Sequence, residues 1–185
     1  MKLSSFRLHL ARPPTGYVAN TLLVLTALCA GLLLLVLSQG IVVMNGSNSL
    51  PHNGYLMLRW PNTPIKGSYV AFDGPGQYNT LFSGLVFVKK VFAVAGDELR
   101  VEKGQVCVEA TCFPVGQGSA SRGLTLNQAT IVPEGRIAVF GTSPDSLDSR
   151  YAQIGFIRTR DLVGVGVPLP IPHWENLKLW MDRWL

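Results

Sequence analysis

The chain is short of charge: Asp, Glu, Lys and Arg make up 15% of its 185 residues, and mean hydropathy is +0.27. An average globular domain carries about 25% charged residues, so part of this chain is buried in more than a protein core. No acidic residue precedes the first hydrophobic segment, whereas Lys2, Arg7 and Arg12 do. Beyond it, thirteen basic residues face eleven acidic ones, with no basic stripe interleaved with aromatics. That excludes a nucleic-acid footprint and leaves the basic tail as a topology signal. The three histidines, His9, His52 and His173, are scattered, and no second Cys or His pair has ligand spacing. A metal site is therefore not expected, nor a cofactor. No internal repeat is visible.

Cysteine is scarce too. Cys29 falls inside the hydrophobic segment and is expected to be inert. Cys107 and Cys112 bracket Val-Glu-Ala-Thr, a spacing that fits a short hairpin. They are expected to pair in an oxidising compartment, where closing so small a loop contributes about 2 kcal/mol, and to stay as two thiols elsewhere.

What the chain does have is an uncharged run, TLLVLTALCAGLLLLVL, from Thr21 to Leu37, extended by Tyr17, Val18 and Ala19 before it and Ser38 after it. A helix of roughly 20 residues spans the ~30 Å hydrocarbon core of a bilayer. Residues 20–39 are read as a transmembrane anchor, and residues 1–19 as a tail that Arg7 and Arg12 keep in the cytoplasm. The rest is then exported. A cleaved signal peptide would need a shorter run and a small-x-small site, which Leu37-Ser38-Gln39 does not offer. A lipidated Cys29 would need a small residue where Leu28 stands.

After Gly40 the pattern changes to short β-rich runs cut by Gly and Pro. The expected strands are 40–44, 55–59, 69–72, 85–95, 99–102, 106–108, 136–140 and 162–167. Turn signals at Pro61-Asn62, Lys66-Gly67, Gly74-Pro75-Gly76, Gly96-Asp97, Lys103-Gly104 and Pro133-Glu134-Gly135 separate them. The fold class is all-β, a folded sheet or partly open barrel over residues 40–170, with one N-terminal transmembrane helix and a short C-terminal helix. Residues 171–185 form that last element, with Trp174, Leu177, Trp180, Met181 and Trp184 at helical spacing. Such a stripe packs on the barrel or rests at a membrane interface, and the sequence supports both.

Four stretches are chemically suggestive. Asn45 to Tyr55, NGSNSLPHNGY, is a polar loop that follows the anchor directly. Phe87 to Asp97, FVKKVFAVAGD, sets two lysines in an apolar strand, where alternation sends Lys89 and Lys90 to opposite faces. At least one should point inward, unless the strand is an edge that lysine protects or one lysine snorkels. Gly141 to Tyr151, GTSPDSLDSRY, is a polar turn holding an Asp–Arg pair, and KGSYVAF (66–72) is a turn entering a strand.

In this order the four resemble the boxes of the signal peptidase I family of serine–lysine peptidases over roughly residues 40–165. SNSL is similar to that family's SxSM box, KGSYVAF to RGDIVVF, VKKVFAVAGD to IKRVVGLPGD and SLDSRY to SADSRY. The TraF-type signal peptidases of conjugative transfer resemble it more closely. Their N-x-S-x-S-M-P-x-G-x-Y pattern is matched from Asn45 to Tyr55, with Leu50 for Met, and Gly141-Thr142-Ser143 stands where general signal peptidases carry GDN. Ala93 and Ala95 depart from the usual Gly and Pro.

The resemblance implies Ser49 as nucleophile and Lys89 as general base. It also implies Ser47 with the Ser49 backbone N–H as oxyanion hole, Ser146 as the group that orients the lysine, and Asp148 with Arg150 as supporting ion pair. Lys90 has no role in it. It further implies a bacterial inner-membrane protein with a periplasmic catalytic domain, acting on a membrane-embedded, pilin-like precursor at the lipid bilayer. Alternatives are a general signal peptidase I and a non-enzymatic anchored β-domain that scaffolds a secretion apparatus. A histidine-based triad finds no third member, although His52 lies three residues from Ser49. Soluble self-cleaving LexA-type repressors share the dyad but lack an anchor.

Overall fold

The computed structural model describes residues 15–60, 63–74, 85–117, 123–128 and 130–172. Nearly all of the Trp-rich C-terminal segment, most of the basic tail and the Pro61-Asn62 turn therefore lie outside the described residues. The chain divides into two units after Ser38.

Among the described residues the first unit is one helix, α1 (Thr15–Gln39), of 25 residues. It is apolar on all sides, and its leucines, among them Leu22, Leu28, Leu34 and Leu37, are exposed. At 1.5 Å per residue it is long enough to cross a membrane. Its few hydroxyls turn back on the helix. Thr21 Oγ1 donates to Tyr17 O at 2.8 Å and Thr26 Oγ1 to Leu22 O at 2.7 Å, so neither presents an unmet donor to an apolar medium. Cys29 is a free, exposed thiol on this helix.

Among the described residues, the second unit is built from ten antiparallel strands in two open sheets. They are β1 (Gly40–Met44), β2 (Gly54–Leu58), β3 (Tyr69–Asp73), β4 (Val86–Val94), β5 (Leu99–Glu102), β6 (Gln105–Val108), β7 (Thr111–Phe113), β8 (Arg136–Phe140), β9 (Ile157–Arg158) and β10 (Leu162–Leu169). Seven form a sheet in the order β1-β2-β10-β3-β4-β8-β9, and three form the meander β5-β6-β7. The folded-sheet form of the expected all-β class is the one that occurs. All eight expected strands are present within a residue or two, and β7 and β9 are additional.

The main sheet works with both faces. Residues in register share a face, so Lys89 lies with Val70, and Val91 with Val139. That face packs into a core of Val70, Phe72, Val91, Ile137, Val139, Ile154, Ile157 and Leu162. The opposite face supplies two further cores, one around Tyr55, Met57 and Ala71 and one around Phe140, Ala138 and the β5-β6-β7 meander. Between Val91 and Ala93 the β4–β8 register shifts by one residue at Phe92. This bulge lets β4 feed both cores beyond its lysines. On β10, a Cβ at Gly166 would overlap the Leu56 carbonyl, so β2 and β10 approach this closely only because glycine stands there.

The meander is tied twice. Cys107 and Cys112 face each other across β6 and β7 and form the expected disulfide. Lys66, in the turn before β3, reaches Asp97 at 2.8 Å and Glu109 at 2.6 Å, joining the two sheets at the surface.

Candidate active site

Strands β1 and β2 form a hairpin whose loop carries Ser47 and Ser49. Leu50 fastens that loop: it is 5% exposed and packs with Tyr55, Met57 and Ala71. Ser49 is thereby drawn in, to 9% exposure. Its carbonyl accepts from Thr142 N at 2.8 Å and Thr142 Oγ1 at 3.3 Å, although 93 residues separate the two. The Ser49 hydroxyl lies 2.9 Å from Ser47 Oγ, and Ser49 N–H donates to the same oxygen at 3.4 Å.

Lys89 sits on β4 where alternation points it inward. It is 6% exposed, whereas Lys90, on the other face, is half-buried with its Nζ 5.4 Å from the Phe92 ring centre. Burial strips water from the Lys89 ammonium and pulls its pKa down to about 8; the charge of Asp148 opposes this and that of Arg150 adds to it. The Phe87 ring centre is 6.0 Å from its Nζ. No hydrogen bond joins Lys89 to Ser49 or to Ser146 among the described residues.

Ser146 and the Asp148–Arg150 pair come from the loop after β8. Ser146 is 3% exposed, and its Oγ has no hydrogen-bond partner among the described residues. It lies against Gly141, where a Cβ would overlap both Ser146 Oγ and Ser49 O, so only glycine lets the two loops meet. Asp148 and Arg150 are fully buried and joined as a fork, Nε to Oδ1 at 2.9 Å and Nη2 to Oδ2 at 2.7 Å. The remaining guanidinium protons reach the carbonyls of Pro114, Gly141, Ser143 and Pro144, and Asp148 accepts from Gly141 N at 2.8 Å. Such complete pairing is what makes a buried ion pair tolerable. It fixes the segment from Gly141 to Pro144, and with it the support beneath Ser49.

Ser47, Ser49 and Lys89 line one cleft of about 380 Å3, walled by Val86, Phe87, Val88 and Leu147. A cleft of about 420 Å3 beside Arg136 and Arg158 has one hydroxyl, that of Thr159, already bonded to Gly135 O. Two serine hydroxyls and a buried amine meet in the first. A serine beside an amine that has lost much of its affinity for a proton can attack a carbonyl, and a second hydroxyl at hand can stabilise the resulting oxyanion. The sequence-expected residues are thus brought to one region, with Ser146, Asp148 and Arg150 behind the cleft. Sequence reasoning did not single out Thr142 or Gly141 as contacts of the Ser49 loop, nor the Asn45 side chain. No local pattern marks a contact that spans 93 residues.

Comparison with known proteins agrees in kind. No curated protein matches the chain. Among solved structures it is similar to a signal peptidase I from Enterococcus faecalis V583, with 23% identity over 56% of this chain and 96% of that one. The TM-score is 0.37, too loose a superposition to argue from. The model of the family described as signal peptidase, peptidase S26, matches residues 16–169, from the anchor helix through β10. On that match, which takes in most of its length, the chain belongs to the S26 family of signal peptidases.

Proposed function

We propose that this peptidase is a membrane-anchored serine endopeptidase using a Ser49–Lys89 dyad, and that it removes the leader of exported precursors. The observation that carries the reading is that Ser49 and Lys89 share a cleft in which the lysine is buried and its pKa lowered to about 8. At pH 7 roughly a tenth of such an amine is neutral and able to take a proton. Ser49 Oγ attacks the scissile carbonyl as its proton passes to Lys89 Nζ. The charge that builds on the carbonyl oxygen is met by Ser47 Oγ–H and Ser49 N–H. Lys89 then protonates the leaving amine, and water, or an amine of the substrate, resolves the acyl-enzyme. Ser146, buried and without a partner among the described residues, is the hydroxyl available to orient Lys89 once its amine turns neutral.

The substrate proposed is a membrane-embedded, pilin-type precursor of conjugative transfer. The support is the Asn45–Tyr55 pattern together with α1, which would anchor the domain in the plasma membrane with the cleft on the outer side. The purified protein is tested on a pilin precursor. Ser49→Ala and Lys89→Ala should each abolish cleavage, and Lys90→Ala should keep most of it. An inactive Lys90→Ala beside an active Lys89→Ala would overturn the dyad. Equal cutting of unrelated preproteins would replace the pilin reading with a general signal peptidase.

A further inference from the structure

One side chain holds the loop that carries both Ser47 and Ser49. Asn45 follows the last register pair of the β1–β2 hairpin, Met44 with Gly54, and its N–H extends the ladder to Asn53 O at 2.8 Å. Its carboxamide turns into the loop. Oδ1 accepts from Ser47 N–H at 3.1 Å and Ser47 Oγ at 3.2 Å, and Nδ2 donates to the carbonyls of Leu50 and His52, each at 3.1 Å. A primary amide offers two lone pairs and two protons, and all four are used. The orientation is fixed by chemistry. Reversed, the oxygen would face two carbonyls and the NH2 would face a backbone N–H.

The Ser47 hydroxyl has one proton and three neighbours. Ser49 N–H donates to it, Ser49 Oγ can give or take, and Asn45 Oδ1 can only accept. Asn45 thus gives the Ser47 proton a fixed resting direction and leaves the Ser47 oxygen as the acceptor for Ser49. We infer that Asn45 is a positioning residue: it holds Ser47 Oγ beside the Ser49 amide, so that a turn of the hydroxyl carries its proton from Asn45 Oδ1 to the oxyanion that forms on the scissile carbonyl and frees the Ser49 N–H to join it. This rests on Ser49 being the nucleophile. The amide is needed because it is neutral. A carboxylate in its place would set a negative charge one hydrogen bond away from a group that must stabilise another.

The test is steady-state kinetics on the full chain with a soluble peptide substrate, for Asn45→Ala, Asn45→Asp, Ser47→Ala and the two double variants. Asn45→Ala should lower kcat about ten- to a hundredfold, with KM within about twofold, since the donor pair is loosened rather than removed. Asn45→Asp should lower kcat further. In the Ser47→Ala background, Asn45→Ala should cost no more than about threefold, because the group it acts through is gone. A loss confined to KM, full additivity with Ser47→Ala, or an Asp variant with wild-type kcat would overturn the inference. Should Asn45→Ala melt before assay, Asn45→Asp and its cycle with Ser47→Ala decide the same question. The Ser49→Ala variant separates the two ideas. Retained cleavage removes the nucleophile reading. An inactive Ser49→Ala with additive Asn45 and Ser47 effects removes the positioning role alone.

Discussion

Two loops meet at the cleft, and they are secured by opposite means. The loop after β8 is gripped by a charged pair, Asp148 and Arg150, at 0% and 1% exposure and hydrogen-bonded on every side. The β1–β2 loop is held by the neutral amide of Asn45 and one buried leucine, with Gly46, Ser47 and Asn48 exposed. On the proposed mechanism the difference follows from what each loop must do. A buried ion pair resists movement but is costly to disturb, so it suits a foundation. A loop that receives substrate must stay open to it, and a charge close to a forming oxyanion would alter its energy.

The sharpest way to break this contrast is to remove the foundation. Arg150→Met leaves the Asp148 carboxylate buried without its partner, and stability should fall by about 3–5 kcal/mol, read by thermal or denaturant unfolding. An Arg150→Met protein as stable as wild type would dissolve the distinction between the loops. On the other side, Ser47→Ala should lower kcat by about 10²–10³ while leaving the melting temperature and KM nearly unchanged. A loss expressed in KM would make Ser47 a substrate contact instead.

Lys89 stands between the two loops and should show a mixed effect. Its folded pKa, about 8, lies below its ordinary value of 10.5. Between those values the unfolded chain binds more protons than the folded one, so stability rises as pH climbs from 8 to 10.5. Below pH 8 the full penalty of the buried ammonium is present. Lys89→Met should therefore stabilise the protein at pH 7 by about 3 kcal/mol while abolishing cleavage, and the gain should vanish above pH 10.5. A variant whose advantage does not shrink with pH would show that packing, not charge, is responsible. The smallest effect is expected away from the cleft. Cys107→Ser with Cys112→Ser should cost about 2 kcal/mol of stability and leave kcat unchanged.

Much of this was legible in the residues. The change from an uncharged run to short β-rich segments separates α1 from the sheets, and alternation along 87–91 is enough to send one lysine inward. β7 and β9 escaped because three and two residues are too few to show a period. β10 was expected to stop at Val167, before Pro168, yet it runs to Leu169. Beyond Gly166 it pairs with β2 alone, and proline is tolerated at such an edge. The site was legible only in part, for a different reason. Ser47, Ser49, Lys89, Ser146, Asp148 and Arg150 could be named by resemblance, but the residues that make their arrangement possible act across folds of the chain. Gly141 matters because of atoms on Ser49 and Ser146, and Asn45 because of what its amide meets in the closed loop. Neither fact exists until the sheet is assembled.

The place of β10 has a consequence for the order of events. The hairpin bearing Ser49 ends at β2, and the lysine strand pairs with β3, but β2 and β3 are not neighbours in the sheet: β10 lies between them. A chain synthesised from its N-terminus has made both halves of the sheet before it has the strand that joins them. Until residues 162–169 arrive and insert, nothing in the sheet holds the serine hairpin in register with the lysine strand. On the proposed mechanism, a half-made chain carries the residues of a protease without the geometry of one, and the switch that arms it is the last described strand of the sheet to be synthesised.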